Sequence, residues 1–296
     1  MGGERSDLVN FGEHIKKVEE KAKKSLKLVK TITGTDWGQQ SETISNTYKQ
    51  YSRPIIEYAC PAWAPIVSPT NIMKLQRIQN TALRCSTGHT KDSNSVHYHR
   101  ETQTLPLQLH MQMITSQYRE SVRDPQHPLH QELYGPPPDR VMKKSALNSD
   151  YPVLVFSCDP ENPEREREKN RKRLHTHFVQ QHLEQQPDHR LLQARAPDVS
   201  ATEQTLPRDK RRTLAQLRAM KGPLLLAWQH DIGAAADPLC PLCQQDAHTT
   251  EHLFGCPNIR TDLTPEDLWR RPVQAAELVQ QWQDALDAAL DAAEED

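Results

Sequence analysis

Long apolar runs are missing from this 296-residue chain, and aromatic residues (5%) and glycines (ten, against 22 prolines) are few. The longest aliphatic cluster, Leu224 to Trp228, falls far short of the ~20 residues that a membrane helix needs, so no membrane span is expected. An apolar share of 35% and a mean hydropathy of -0.81 argue against one large globule. They fit modest helical cores joined by polar segments. Of six cysteines, Cys60, Cys85 and Cys158 are scattered, and no secretory leader opens the sequence. A reducing, intracellular setting, nuclear or cytoplasmic, is therefore expected in place of a disulfide scaffold.

The near-neutral net charge of -2 hides an asymmetry. Residues 261–296 carry ten acidic groups against Arg270 and Arg271, a balance of -8. The other 260 residues are left with 35 basic against 29 acidic groups, or +6. The body can meet nucleic acid, while the tail repels it and can instead recruit a basic partner.

Periodicity places the helices. Phe11, Ile15, Val18, Ala22 and Val29 recur near the 3.6-residue period, with lysines at 16, 17, 21, 23, 24, 27 and 30 on the other faces and Gly34 beyond the end. A second helix is expected from Gln40 to Tyr51, stopping before Pro54. Ser68-Pro69 supplies a cap and a first-turn proline for a third, which runs through Ile72, Leu75, Ile78, Ala82 and Cys85 and closes at Gly88. A fourth follows Pro106, with Leu107, Met111, Ile114, Tyr118 and Val122 on one face.

From Arg123 to about Pro207 the pattern dissolves. The triple proline 136–138, the charged run Glu164–Arg173 and a Gln/His-rich stretch read as a long, largely disordered linker with one exposed helix. Beyond it, Leu214, Leu217, Leu224, Trp228 and Ile232 trace one helical stripe, and Val273, Ala276, Val279, Trp282, Leu286 and Ala289 another. The expected architecture is mainly α, in four stretches: a helical region 1–123, the linker 124–206, a helix with a metal module 207–260, and an acidic helix and tail 261–296.

Chemistry is concentrated in the metal module. Cys240, Cys243, His252 and Cys256 form a Cys-x2-Cys-x8-His-x3-Cys array within 17 residues, three thiolates and an imidazole that suit tetrahedral, structural zinc. Four protein ligands leave no position for a catalytic water. His252 and Cys256, four apart, would share one helical turn. His248 is the rival fourth ligand. His252 is favoured because Leu253 and Phe254 beside it can pack around the metal, whereas His248 sits in a polar loop where a solvated imidazole is expected.

Ordered blocks along the chain resemble the C-terminal part of reverse transcriptases (RNA-directed DNA polymerases) from Jockey-like non-LTR retrotransposons. They begin with Phe11-x2-His14-Ile15, Gly34-Thr-Asp-Trp37-Gly38 and Arg53-Pro54-x2-Glu57-Tyr58-Ala59-x-Pro61-x-Trp63-x-Pro65. Next come Gln79-Asn80-x-Ala82-Leu83-Arg84, Thr87-Gly88, Leu105-Pro106-Leu107 and His127-Pro128. The last are Leu206-Pro207-Arg208, Leu214-Ala215-Gln216-Leu217-Arg218, Cys240-Pro241-x-Cys243, Glu251-His252-Leu253 and Cys256-Pro257.

The resemblance implies a thumb-like helical bundle that holds template and primer, followed by a zinc knuckle that helps bind nucleic acid. Lys16, Lys17, Lys23, Lys24 and Arg53 would then contact an RNA or DNA backbone without reading sequence. The chain has no Asp-Asp pair, which polymerase chemistry needs to hold two magnesium ions. It is expected to be a fragment or truncated gene product, inactive as a polymerase alone and able to associate with a separate polymerase or a basic protein partner. The alternative is a zinc-stapled protein–protein interaction module with no nucleic-acid role.

Overall fold

The computed structural model describes residues 11–34, 38–136, 152–156 and 163–294. Trp37, the second and third prolines of the triplet and Cys158 lie outside the described residues. The chain is mainly helical, as its periodicity implies, and β structure among the described residues is limited to three isolated bridges. The helices are α1 (Gly12–Thr31), α2 (Ser41–Thr47), α3 (Arg53–Glu57), α4 (Cys60–Trp63), α5 (Pro69–Thr87), α6 (Ser95–Glu101) and α7 (Leu107–Val122). After them come α8 (His130–Tyr134), α9 (Pro163–Glu184), α10 (Arg208–Arg218), α11 (Leu226–Asp231), α12 (Asp267–Arg270) and α13 (Pro272–Glu294). No helix among the described residues is long and apolar enough to cross a membrane.

Two compact units interleave along the chain. Unit 1 is built from residues 1–28, 47–81 and 105–185, unit 2 from 29–46, 82–104 and 186–296. These boundaries differ from the four consecutive stretches read from composition, because α1 and α5 each give residues to both units.

In unit 1, α1 buries Ile15, Val18, Ala22 and Leu26 and leaves Lys16, Lys17, Lys21, Lys23, Lys24 and Lys27 exposed. The expected stop before Pro54 does not occur. A π turn over Tyr48–Ser52 carries the helix straight into α3, with the Arg53 N–H donating to the carbonyl of Tyr48 five residues back. The widened turn removes the conflict between the proline ring and the preceding helical turn. At the start of α5 the Ser68 carbonyl accepts from Asn71 and Ile72, as the Ser-Pro signal predicts.

The segment expected to be linker contains α9, whose 22 residues pack on α7. This helix is not fully exposed: Leu174 and Phe178 join Leu105 and Met113 in a core cluster, each apolar side chain contributing ~1.5–3 kcal/mol. Beside it the buried Glu120 accepts from Asn170 Nδ2 at 3.1 Å and pairs with Arg123 at 3.2 Å. A helix with so few apolar residues shows little amphipathic signal, so its buried face is hard to read locally. Tyr118 on α7, expected inward, is exposed, while Met113, Thr115 and Ser116 are buried. The face of α7 that packs against α9 therefore differs from the one its own periodicity suggests.

In unit 2 the stripe expected to run from Leu214 to Ile232 is two helices. Met220 takes a left-handed φ of 54° and Gly222 a φ of 148°, and Lys221 N–H closes the end of α10 on the Gln216 carbonyl. Ile232 is exposed. A core cluster of this unit gathers Leu214, Leu217, Leu225, Leu268, Trp269 and Trp282 around the cysteine-rich segment.

Arg218 is buried with them. Its guanidinium pairs with Glu203, reaches Glu101 at 3.2 Å and donates to the Leu268 carbonyl from Nε at 3.0 Å. Arg208 gathers four backbone carbonyls, those of Gly34, Gln39, Cys85 and Ser86. At the end of α5, Gly88 has a φ of +77°, and a Cβ there would lie 2.5 Å from Arg212 Cγ.

Candidate metal centre

The segment after α11 folds back through an antiparallel bridge between Leu239 and Ala247. Cys240 N–H donates to the Asp246 carbonyl, and Gln244 N–H to the Cys240 carbonyl. Gln244, at φ 56°, turns the chain between them. The tight loop brings the two thiols of Cys-x2-Cys together.

The second half is a 3-10 turn, His252–Phe254, in place of the α-helical turn expected to carry His252 and Cys256. Gly255 then releases the chain to Cys256. Thr249 Oγ1 accepts from the His252 N–H at 3.3 Å, and Thr250 Oγ1 donates to the Leu217 carbonyl at 3.2 Å, so the turn is tied at its start to itself and to α10. Trp282 on α13 donates from Nε1 to the Leu253 carbonyl at 3.0 Å.

This framework brings together all four residues expected from the spacing. One ligand atom from each of Cys240, Cys243, His252 and Cys256 lies within 4.8 Å of every other. Cys243 Sγ and His252 Nε2 are 3.4 Å apart. Tetrahedral zinc with sulfur at ~2.3 Å and nitrogen at ~2.0–2.1 Å sets neighbouring ligands ~3.6–3.8 Å apart, so the donor set and its spacing fit a metal ion. Cys240 and Cys256 are buried within the unit 2 core, and Cys243 lies at its margin. Burial pushes the Cys240 thiol up to about 11.

His248 is not part of the cluster. It is fully buried rather than solvated: Nδ1 accepts from the Leu226 N–H at 3.3 Å, and the ring lies 5.0 Å from that of Trp282. Burial, followed by the proximity of His252, lowers its pKa to about 4. Asp246, which drew no attention in the sequence, sits with Oδ2 3.9 Å from His252 Nδ1, the nitrogen remote from the thiols.

The expected phosphate contacts divide differently. Lys16, Lys17, Lys23 and Lys24 all stand exposed on α1, with Lys23 2.5 Å from Glu19. Arg53 is half-buried on α3 with its Nε 3.5 Å from Glu57 Oε2, and Glu57 is also bonded to His110 at 2.6 Å. Arg53 is thus tied into unit 1. Comparison with known proteins identifies no matching family model, no matching curated protein and no matching solved structure.

Proposed function

We propose that this chain is the C-terminal region of a non-LTR retroelement reverse transcriptase, a nucleic-acid-binding helical segment closed by a structural zinc knuckle. The observation that carries the reading is the Cys240, Cys243, His252 and Cys256 cluster, four soft and borderline donors within 4.8 Å at the place in the block order where the resemblance puts a knuckle. The row of exposed lysines on α1 supports backbone contact. Cys240, Cys243, His252 and Cys256 would hold the ion with no open position, so it would supply a cross-link rather than Lewis-acid catalysis. No polymerase chemistry is assigned to the chain, which has no Asp-Asp pair. Thiolate ligands of this kind suit a reducing nuclear or cytoplasmic setting.

The test is a titration of the zinc-loaded chain with RNA and DNA at several salt concentrations. Phosphate contacts require log affinity to fall linearly with log salt. Absence of binding at low salt would remove the nucleic-acid role. The balance of -8 in residues 261–296 favours a second reading, a zinc-stapled module that docks a basic protein partner. Under that reading a basic partner binds the chain, deletion of the acidic tail abolishes the binding, and nucleic acid does not bind.

A further inference from the structure

A groove of about 660 Å³ runs along α1 within unit 1. Its floor is apolar. Its walls carry Lys21, Lys24 and two tyrosines, Tyr51 and Tyr58, that are 54% and 78% exposed. No carboxylate is among its described lining residues.

The Tyr58 main chain is fixed although its ring is free. Its carbonyl accepts from Nε1 of the buried Trp63 at 2.9 Å, and Ala59 beside it holds a left-handed φ of 53°. A residue with a side chain keeps that backbone only where its surroundings impose it, and such positions cluster at ligand clamps. His14 closes one wall, its ring 5.5 Å from that of Trp63, and its Nε2 has no hydrogen-bond partner among the described residues.

Flat, solvent-facing aromatic rings beside cations, with no carboxylate among the described lining residues, match a ligand that alternates anions with unstacked π faces. A duplex keeps its bases stacked inside and offers these rings only phosphates. We propose that this groove takes single-stranded nucleic acid, with bases stacked on Tyr51 and Tyr58 and phosphates paired with Lys21 and Lys24. The proposal rests on the nucleic-acid reading above and narrows it from backbone contact to a single strand.

The experiment is fluorescence anisotropy of the full-length, zinc-loaded chain with a labelled oligo(dT) of roughly 20 nucleotides, enough to span one such site, and with a duplex of equal length. The strand is expected to bind more tightly than the duplex. Tyr51→Ala and Tyr58→Ala should each weaken strand binding by roughly 5- to 150-fold, the worth of one stacked base. Duplex binding should hardly change, and Tyr58→Phe should keep parental affinity. The Lys21→Gln/Lys24→Gln chain should show a salt slope shallower by ~1.4, two single-strand phosphate contacts.

Both tyrosines are exposed, so the variants should retain the parental circular dichroism spectrum. Strand affinity unchanged in the double tyrosine variant, with salt-dependent binding preserved, overturns the groove and leaves the nucleic-acid reading standing. No binding of either probe overturns both. Self-association abolished by the tyrosine variants, without any effect on the strand, assigns the groove to a second copy of the chain and overturns the proposal.

Discussion

Replacing Arg218 by methionine tests the reasoning about unit 2 most severely. Arg218 is 1% exposed and faces two acids, Glu203, itself buried, and Glu101, with the Leu268 carbonyl completing its hydrogen bonds. Methionine fills much of the volume but removes the guanidinium that pairs with both carboxyl groups, leaving Arg211, 3.8 Å from Glu203, as the cation near them. Breaking a buried charge network from one side costs about 3–5 kcal/mol, a large share of the ~5–15 kcal/mol that holds a domain together.

The cost should depend on pH. Burial raises the pKa of both Glu101 and Glu203, and Arg218 partly offsets the rise, so its loss lets both climb further. An acid whose folded pKa lies above its unfolded value keeps its proton in the native state while the unfolded chain releases it. Stability then falls as pH rises beyond the ordinary value of 4.5. The deficit of Arg218→Met should be small at pH 5 and full at pH 8. Urea unfolding followed by tryptophan fluorescence reads it directly, since Trp269 lies 5.9 Å from the guanidinium. A triple variant with Glu101→Gln and Glu203→Gln should recover most of the loss. A deficit below about 1 kcal/mol at pH 8, or the same deficit at both pH values, would refute the account.

Three further outcomes are expected. Native mass spectrometry should find one metal on the parental chain and none on Cys256→Ser or His252→Ala, while His248→Ala should keep the metal and lower the thermal midpoint. His97 stacks on His89 and meets His189 edge to face, and this trio forms a second titrating group, with burial holding His89 and His97 down to about 3. Their neutral forms stabilise the fold above the unfolded value of 6.5 and lose that contribution as pH falls, so His97→Gln should flatten the acid limb of stability by up to ~1.4 kcal/mol per pH unit. Gly88→Ala, with φ +77° and the Arg212 side chain in the way, should cost more than ~1 kcal/mol in chemical denaturation.

What could be read in advance was local. Ser68-Pro69 and Gly88 bracket α5 because caps act within one turn, and the Cys/His cluster announces itself because a 17-residue span holds all four members. The break between α10 and α11 was also written locally, in Lys221-Gly222-Pro223, but the apolar spacing across it masked the signal. What escaped was the pairing of distant polar groups. Arg218 meets an acid 117 residues away, and Arg208 reaches carbonyls more than 100 residues upstream. Asn170, in the stretch read as a solvated linker, is buried against Glu120, 50 residues before it. Periodicity registers apolar faces, and these contacts join charged or amide side chains to polar partners.

The interleaving of the two units has a consequence for how the chain is made. Unit 2 draws on residues 29–46 and 82–104, yet the core cluster around its cysteines comes wholly from residues beyond 186, so its early pieces leave the ribosome long before the rest of the unit exists. Unit 1 likewise waits for α9. A chain halted near residue 123, where composition suggests a clean cut, would hold parts of both units and complete neither. Unit 1 can close only once residue 185 has been made and unit 2 only later still, and in the interval the apolar strips of the early segments stay exposed and prone to aggregate.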